Sequence, residues 1–147
     1  MIQIFTKRFN ELSKNELYKI FQIRSKVFIV EQNCIYQDID FKDQKALHIL
    51  IKKKKEIIGY SRIFKSGDYF KKASIGRVVI SKENRQKGYG KILMKESIKA
   101  VENIFKEKEI KISAQKYLLD FYASTGFKKE GKEYLEDGIP HIAMVKN

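Results

Sequence analysis

The stretch "IGRVVISKENRQKGYGKILMKESIKAV", from Ile75 to Val101, decides the fold because a strand pattern ends in glycines and a helix pattern follows at once. Its unbroken "VVI" predicts a strand buried on both faces. Beyond the glycines, Met94, Ile98 and Val101 recur at helical spacing. A strand, a glycine loop and a helix N-terminus aim backbone N–H groups and the positive end of the helix dipole at one point. The junction therefore predicts a phosphate-binding site.

The spacing of the glycines excludes the two commonest phosphate loops. A P-loop needs Gly-Lys-Ser/Thr, but Gly90 and Lys91 are followed by Ile92, which offers no hydroxyl for magnesium. A dinucleotide fingerprint needs G-x-G-x-x-G, but its third glycine position falls on Leu93. The pattern that remains is R-x-x-G-x-G, from Arg85 to Gly90.

The rest of the chain reads as one α/β domain, residues 1–147, with no repeat or linker. Ser13 and Glu16 have capping-box spacing ahead of an apolar helical stripe. A long acidic loop is predicted over "IVEQNCIYQDIDFKDQ", which begins at Ile29. Later segments read in order as a hairpin hinged at "KKKK", the strand "IKIS", the helix "QKYLLDFYAST" closed by Gly126, and a strand pair around "EDGIP". The fold class is a mixed sheet with helices on its faces.

The composition limits the classes of partner. Thirty-one Lys and Arg against 18 Asp and Glu give a net charge of +13, but the positive charge is mostly scattered lysine, and arginine is sparse. Arginine is the residue favoured for planar recognition of phosphates and bases, so nucleic acid is not the favoured partner. No window is apolar enough to span a membrane. The expected location is the cytoplasm.

Metal and disulfide sites are not expected. The single cysteine, Cys34, cannot form an internal disulfide or a metal knuckle, and it is interpreted as a half-buried thiol. Asp38, Asp40 and Lys42 do not follow the calcium-loop pattern.

With its flanking strand and helix, the R-x-x-G-x-G motif resembles the pyrophosphate loop of the GNAT superfamily of acyl-CoA-dependent N-acetyltransferases, and "FYASTGF" looks like that superfamily's F-Y-x-x-x-G-F helix end. The resemblance implies a mostly antiparallel sheet with a splayed strand pair, a loop that binds acetyl-CoA, and a tyrosine that protonates the leaving thiolate. It also implies that a backbone N–H near Val79 stabilises the oxyanion. The thiolate role falls on Tyr122, with Tyr117 as the alternative. The residues implied to bind the cofactor are Val78, Val79, Ile80, Arg85, Gln86, Lys87, Gly88, Tyr89, Gly90 and Tyr122.

Two further segments, "RSKVFIVEQNCIYQDIDFKD" and "YLEDGIPHIAM", resemble the ElaA-like branch of these enzymes. We expect them to meet over the acyl end of CoA, where carboxylates and histidines would hold the amine and take its proton. Candidate catalytic residues are Tyr122, Glu31, His48 and His141, and candidate acceptor-binding residues are Glu31, Asp38, Asp40, Arg77 and His141, with Glu136 and Asp137 nearby. Three alternatives stay open at this point: Glu31 could form an ion pair with Arg24, Arg77 could order the acids rather than meet the acceptor, and each histidine could be a hydrogen-bonded core residue.

The expected function is transfer of an acetyl group from acetyl-CoA to a primary amine in a ternary complex. A non-catalytic acyl-CoA-binding module and a basic nucleic-acid-binding protein are the alternatives. The amine acceptor is either a small molecule or a peptide, including a protein lysine or N-terminus. Whether the chain forms a homodimer is left open.

Overall fold

The computed structural model describes residues 1–147, and one sheet of seven strands runs through the whole chain. The strands are β1 (Ile2–Arg8), β2 (Leu47–Lys53), β3 (Glu56–Phe64), β4 (Ala73–Ile80), β5 (Ile110–Gln115), β6 (Lys128–Glu136) and β7 (Ile139–Lys146). The helices are α1 (Lys14–Arg24), α2 (Tyr89–Asn103) and α3 (Leu119–Ala123). A π-helical segment (Ser25–Glu31) continues α1, and short 3₁₀ turns lie at Phe9–Glu11, Asp43–Lys45, Lys82–Asn84 and Lys116–Leu118. None of the helices combines the length and the apolar character that crossing a membrane requires.

The sheet has the order β1-β2-β3-β4-β5-β7-β6, and every neighbouring pair is antiparallel except β4 and β5. The parallel pair is short: only Ala73 with Ile110 and Ser74 with Lys111 lie opposite each other. Beyond these residues the two strands separate. The predicted mixed sheet with a splayed pair is therefore confirmed.

Helices cover both faces of the sheet. Leu50 and Tyr60 pack against Ile20 and Ile23 of α1, whereas Ile49 belongs to the core that α2 covers on the other face. Because neighbouring residues of a strand point to opposite faces, a strand buried on both faces reads as an unbroken apolar run. This explains the run "ILI", Ile49 to Ile51, in β2.

The start of α1 follows the sequence prediction, but its end does not. Glu16 N–H donates to Ser13 Oγ at 3.0 Å, which confirms the capping box. The sequence predicts a loop from Ile29, yet wide i→i−5 turns extend the helix to Glu31, and Gln32 N–H donates to Val27 O at 3.1 Å. The wide turns keep Val27 buried against the sheet.

Both predicted hairpins are present. Lys54, with φ +59°, turns the chain between β2 and β3. Asp137 and Gly138 have φ values of +51° and +78°, as expected for a tight two-residue turn between β6 and β7. The helix predicted over "QKYLLDFYAST" is shorter than expected, because Lys116–Leu118 forms a 3₁₀ turn and α3 begins at Leu119.

Candidate functional site

A cavity of about 630 Å³ opens where β4 and β5 separate. Gly76, Val78 and Ile80 line it from β4, and Ile112 and Ser113 line it from β5. The loop before α2 lies at one end. Of the predicted cofactor residues, only Lys87 does not line this cavity.

The loop before α2 presents unpaired backbone donors. No backbone N–H from Gln86 to Lys91 donates a hydrogen bond to the protein. Gln86 and Gly88 have φ values of +62° and +81°, so the loop turns tightly into the helix. Successive free N–H groups at a helix N-terminus form an anion-binding site.

The two glycines of the loop are needed for different reasons. Gly88 is the N-cap of α2 and has left-handed backbone geometry, which side chains disfavour. A Cβ atom at Gly90 would lie 3.2 Å from the ring of Phe121. Gly90 therefore lets α2 and α3 pack closely beside the loop.

Arg85 links the loop to β4 and to the end of the π-helical segment. Its Nε donates to the carbonyl of Ile80 at 2.9 Å, and one terminal nitrogen lies 2.5 Å from Glu31 Oε2. Glu31 thus pairs with Arg85, and not with Arg24 as one interpretation of the sequence proposed. Glu31 lines the cavity at the loop end.

The backbone of β4 alternates between its neighbour and the cavity. Ser81 N–H donates to Ile58 O on β3 at 2.8 Å. Because alternate residues of a strand direct their N–H groups to the same side, the N–H of Val79 also points to β3. Ile80 directs its backbone groups away from β3, and its carbonyl accepts from Arg85. Next to Val79 the register of β4 against β3 shifts and Arg77 has φ +50°, so the regular alternation ends at Val78.

The whole arrangement has known counterparts. Residues 10–147 match the model of the acetyltransferase (GNAT) domain. The chain belongs to the GNAT family. Protein ElaA of Escherichia coli is 42% identical over 139 residues, which cover 93% of this chain and 91% of ElaA. Its crystal structure superposes with a TM-score of 0.94 at 40% identity over the full length of both chains.

Two other solved structures extend the comparison. An acyl-CoA N-acyltransferase from Pseudomonas aeruginosa has a TM-score of 0.94 and 33% identity, with both chains fully covered. A GNAT acetyltransferase from Elizabethkingia anophelis, solved with acetyl-CoA bound, has a TM-score of 0.70. At 18% identity over 99% of this chain and 97% of that one, it shares the fold alone.

In this GNAT chain, Tyr122 is buried at the wall of the cavity. It packs edge-on against Phe121, with ring centroids 5.1 Å apart, and its hydroxyl makes no hydrogen bond to the protein. Burial, and secondarily the neighbouring Tyr117, raise the pKa of Tyr122 above its usual range. Tyr122 therefore keeps its proton at neutral pH. Tyr117 also lines the cavity but is 72% exposed.

His141 and Glu136 lie side by side at the cavity wall. His141 Nδ1 lies 2.7 Å from the carbonyl oxygen of Ile139, so this nitrogen donates a proton there. Nε2 lies 3.3 Å from Glu136 Oε2. Glu136 Oε1 accepts from the Ser113 hydroxyl at 2.9 Å, and that hydroxyl also contacts the hydroxyl of Tyr134. A further proton can be shared between His141 and Glu136, which we call the proton-accepting pair.

Three arginines bind the aspartates of the predicted acidic loop, in what we call the arginine–aspartate network. Its members are Arg24, Arg62, Arg77, Asp38, Asp40 and Asp43. Arg24 reaches Asp38 at 3.0 Å and Asp43 at 2.7 Å, and Arg62 reaches Asp40 at 2.7 Å. Burial alone would raise the pKa of Asp40, but the hydrogen bond and charge of Arg62 lower it below its usual range. Asp40 therefore stays charged and paired.

The sequence predicted Arg77, Asp38 and Asp40 as acceptor-binding residues, but in the network Arg77 pairs with both aspartates. Arg77 Nε lies 2.7 Å from Asp38 Oδ1, so Arg77 orders the acids, as the alternative interpretation held. Neither Asp38 nor Asp40 lines the cavity, whereas Arg62 and Arg77 do. The buried Nε–H of Arg62 has no partner in the protein.

His48 lies in the core and not in the cavity, which corrects its predicted place among the catalytic residues. It is fully buried. Its Nδ1 lies 2.6 Å from the hydroxyl of Tyr60 and its Nε2 lies 2.9 Å from the carbonyl of Asp43, so both ring nitrogens are occupied. Burial lowers the pKa of His48. An imidazole enclosed in this way cannot take a proton from an acceptor amine.

The long loop and the terminal hairpin contact each other. The thiol of Cys34 donates to the carbonyl of Asp137 at 3.2 Å. Cys34 is buried and does not line the cavity. Its thiol thus fastens the loop beside the proton-accepting pair.

Sequence reasoning missed several residues of the cavity wall: Tyr36, Arg62, Phe64, Tyr69, Phe70, Ser113 and Gln115. Alternation along β5 places Ser113 and Gln115 on one face, but only the separation of β4 and β5 turns that face into a cavity wall. No group of three or more His, Cys, Asp or Glu side chains is placed as metal ligands would be.

Proposed function

We propose that this protein transfers an acetyl group from acetyl-CoA to a primary amine, by direct attack in a ternary complex. The observation that carries the proposal is the run of free backbone N–H groups from Gln86 to Lys91 at the end of the cavity. The proposal treats residues 1–147 as one catalytic domain and places the reaction in the cytoplasm.

Acetyl-CoA fits the two parts of the site that have unpaired backbone groups. The loop would hold the pyrophosphate through N–H groups, with Arg85 beside it. The backbone of β4 near Val78, and the N–H of Ile80, whose carbonyl already accepts from Arg85, would pair with the amide groups of the pantetheine arm. Acetyl-CoA bound to the Elizabethkingia anophelis protein of the same fold supports this choice of co-substrate.

The reaction needs a base for the amine, a hydrogen-bond donor for the oxyanion, and an acid for the thiolate. The amine arrives as an ammonium, gives one proton to the proton-accepting pair, and attacks the thioester carbonyl carbon. A backbone N–H of β4 near Val79, at the register shift, would stabilise the oxyanion. The carbon–sulfur bond then breaks, and the thiolate takes the proton of Tyr122. The nitrogen of the new amide loses its excess proton, and an equivalent proton restores the phenol of Tyr122. Because Tyr122 keeps its proton at neutral pH, it can act as the acid in this step.

The test is calorimetric titration of the protein with acetyl-CoA, beside a Gly88→Glu variant. The substitution would put a negative side chain at the N-cap of α2, where the pyrophosphate is expected. We expect micromolar binding by the natural protein and at least a hundredfold weaker binding by the variant.

Gly131→Glu is the matched control, since Gly131 also has φ +81° and open space around it but lies outside the cavity. Equal loss of binding in both variants would point to misfolding, which circular dichroism would reveal. Failure of the natural protein to bind acetyl-CoA would overturn the proposal.

A further inference from the structure

An aromatic wall forms one side of the cavity. It consists of Phe64, Tyr69 and Phe70, which all line the cavity. Phe64 and Tyr69 stack with centroids 5.2 Å apart, and Tyr69 meets Phe70 edge-on at 4.8 Å. Tyr69 remains 41% exposed. The wall therefore offers exposed aromatic surface to a ligand.

The aromatic wall lies on the same sheet face as the proton-accepting pair. Phe64 pairs with Ser74 across β3 and β4, and Ser74 pairs with Lys111 across β4 and β5. Directly opposed residues share a face, and so does Ser113, two residues beyond Lys111. Since Ser113 donates to Glu136, the wall and the pair border the same cavity on one face of the sheet.

Positive charges already lie close to the aromatic rings. The guanidinium of Arg62 lies 5.0 Å from the Phe64 centroid and 5.7 Å from that of Tyr69. Lys42 lies 5.9 Å from the Tyr69 centroid, and Lys111 lies 5.6 Å from that of Phe70. A ligand with several positive charges would be repelled here.

The cavity offers one available carboxylate to an ammonium. The aspartates of the arginine–aspartate network are bound by arginines and do not line the cavity. Of the two glutamates that do line it, Glu31 is paired with Arg85, which leaves Glu136. The acidic loop is thus unavailable to a polyamine or a lysine-rich peptide.

We propose that the acceptor is an aromatic primary amine with a single positive charge. Its ammonium lies at the proton-accepting pair and its ring lies against the aromatic wall. The chain's net charge of +13 also disfavours polycationic acceptors. This inference rests on the proposed function and names the substrate class of the same site.

The test measures CoA release with phenethylamine, hexylamine and spermidine, and compares kcat/KM. We expect phenethylamine to exceed hexylamine by about three- to tenfold, the usual effect of one aromatic pair, and to exceed spermidine by more than about tenfold. Tyr69→Leu should remove the preference over hexylamine. Tyr18→Leu, at a tyrosine on α1 that is 74% exposed and outside the cavity, should keep it.

Acetyl-CoA binding, measured on the same preparations, separates this inference from the proposed function. Binding together with equal or better use of spermidine, or with no use of phenethylamine, overturns the acceptor assignment alone. A Tyr69→Leu variant that keeps the full aromatic preference also overturns it. Absence of acetyl-CoA binding overturns both.

Discussion

At the scale of single residues, the structure separates the two histidines that the sequence treated alike. Both occur in segments resembling the ElaA-like branch, but His48 is enclosed by Tyr60 and the backbone of Asp43. His141 lines the cavity and has a carboxylate beside its second nitrogen. Only the histidine whose free nitrogen faces the cavity can exchange a proton with a ligand there.

Glu136→Gln tests the proton-accepting pair. The amide cannot share a proton with His141 as the carboxylate does, so we expect kcat/KM for amine acetylation to fall about a hundredfold, within the usual range for general base catalysis. The affinity for acetyl-CoA should stay unchanged, as calorimetry would show. Glu130→Gln on the same strand but outside the cavity is the matched control. An active Glu136→Gln enzyme with unchanged kcat/KM would exclude the pair as the base.

At the scale of elements, local patterns predicted most of the fold. The capping box at Ser13, the hairpin turns and the strand before the glycines depend on neighbours in sequence, so periodicity and turn chemistry reveal them. The π-helical turns were missed because no local pattern in the sequence distinguishes them, and they accompany the tertiary burial of Val27. The splayed pair came from family resemblance, since no local pattern encodes where two strands stop pairing.

The residues expected to bind the amine acceptor were predicted less well, because their contacts also depend on the tertiary structure. Acids in a loop look available to a cationic ligand until their partners are known, and here the partners come from distant positions in the sequence. Arg77 lies 39 residues from Asp38, and Arg62 lies 22 residues from Asp40. Sequence spacing does not reveal such pairs, so the prediction counted Asp38 and Asp40 as binding residues.

Glu16 at the start of α1 allows a stability prediction. Burial alone would raise its pKa, but hydrogen bonds from Lys52, Lys7 and the N–H of Ser13 lower it from 4.5 to about 2. Its contribution to stability is therefore complete above pH 4.5 and is lost as the pH falls toward 2. Glu16→Gln should lower the free energy of unfolding at pH 7 by about 1–2 kcal/mol, allowing for screening of the partly exposed lysines.

Urea unfolding between pH 7 and pH 3 would measure this effect. The difference between the natural protein and Glu16→Gln should shrink as the pH falls below 4.5. Glu102→Gln, at an exposed position of α2, is the control and should unfold like the natural protein at every pH. A Glu16→Gln deficit that is independent of pH would show that the carboxylate charge is not the cause.

At the scale of the whole molecule, the two basic residue types have different tasks. Most of the arginines form ion pairs beside the cavity, namely Arg24, Arg62, Arg77 and Arg85. The planar guanidinium holds two acceptors at once, which a lysine ammonium does not do in fixed geometry. Lysines supply nearly all of the remaining positive charge. Arginine thus builds the site, and lysine sets the charge of the surface.

This division predicts how the protein responds to salt. Scattered lysines should hold duplex DNA only by counterion release, so retention on DNA should disappear between about 50 and 200 mM salt. Acetyl-CoA binding should weaken far less over the same range, because the loop would hold the pyrophosphate through fixed backbone N–H groups and the pantetheine arm carries no charge. Gly88→Glu should lose acetyl-CoA and leave DNA retention unchanged. DNA retention that persists above about 200 mM salt would instead require a built nucleic-acid site and would favour that alternative function.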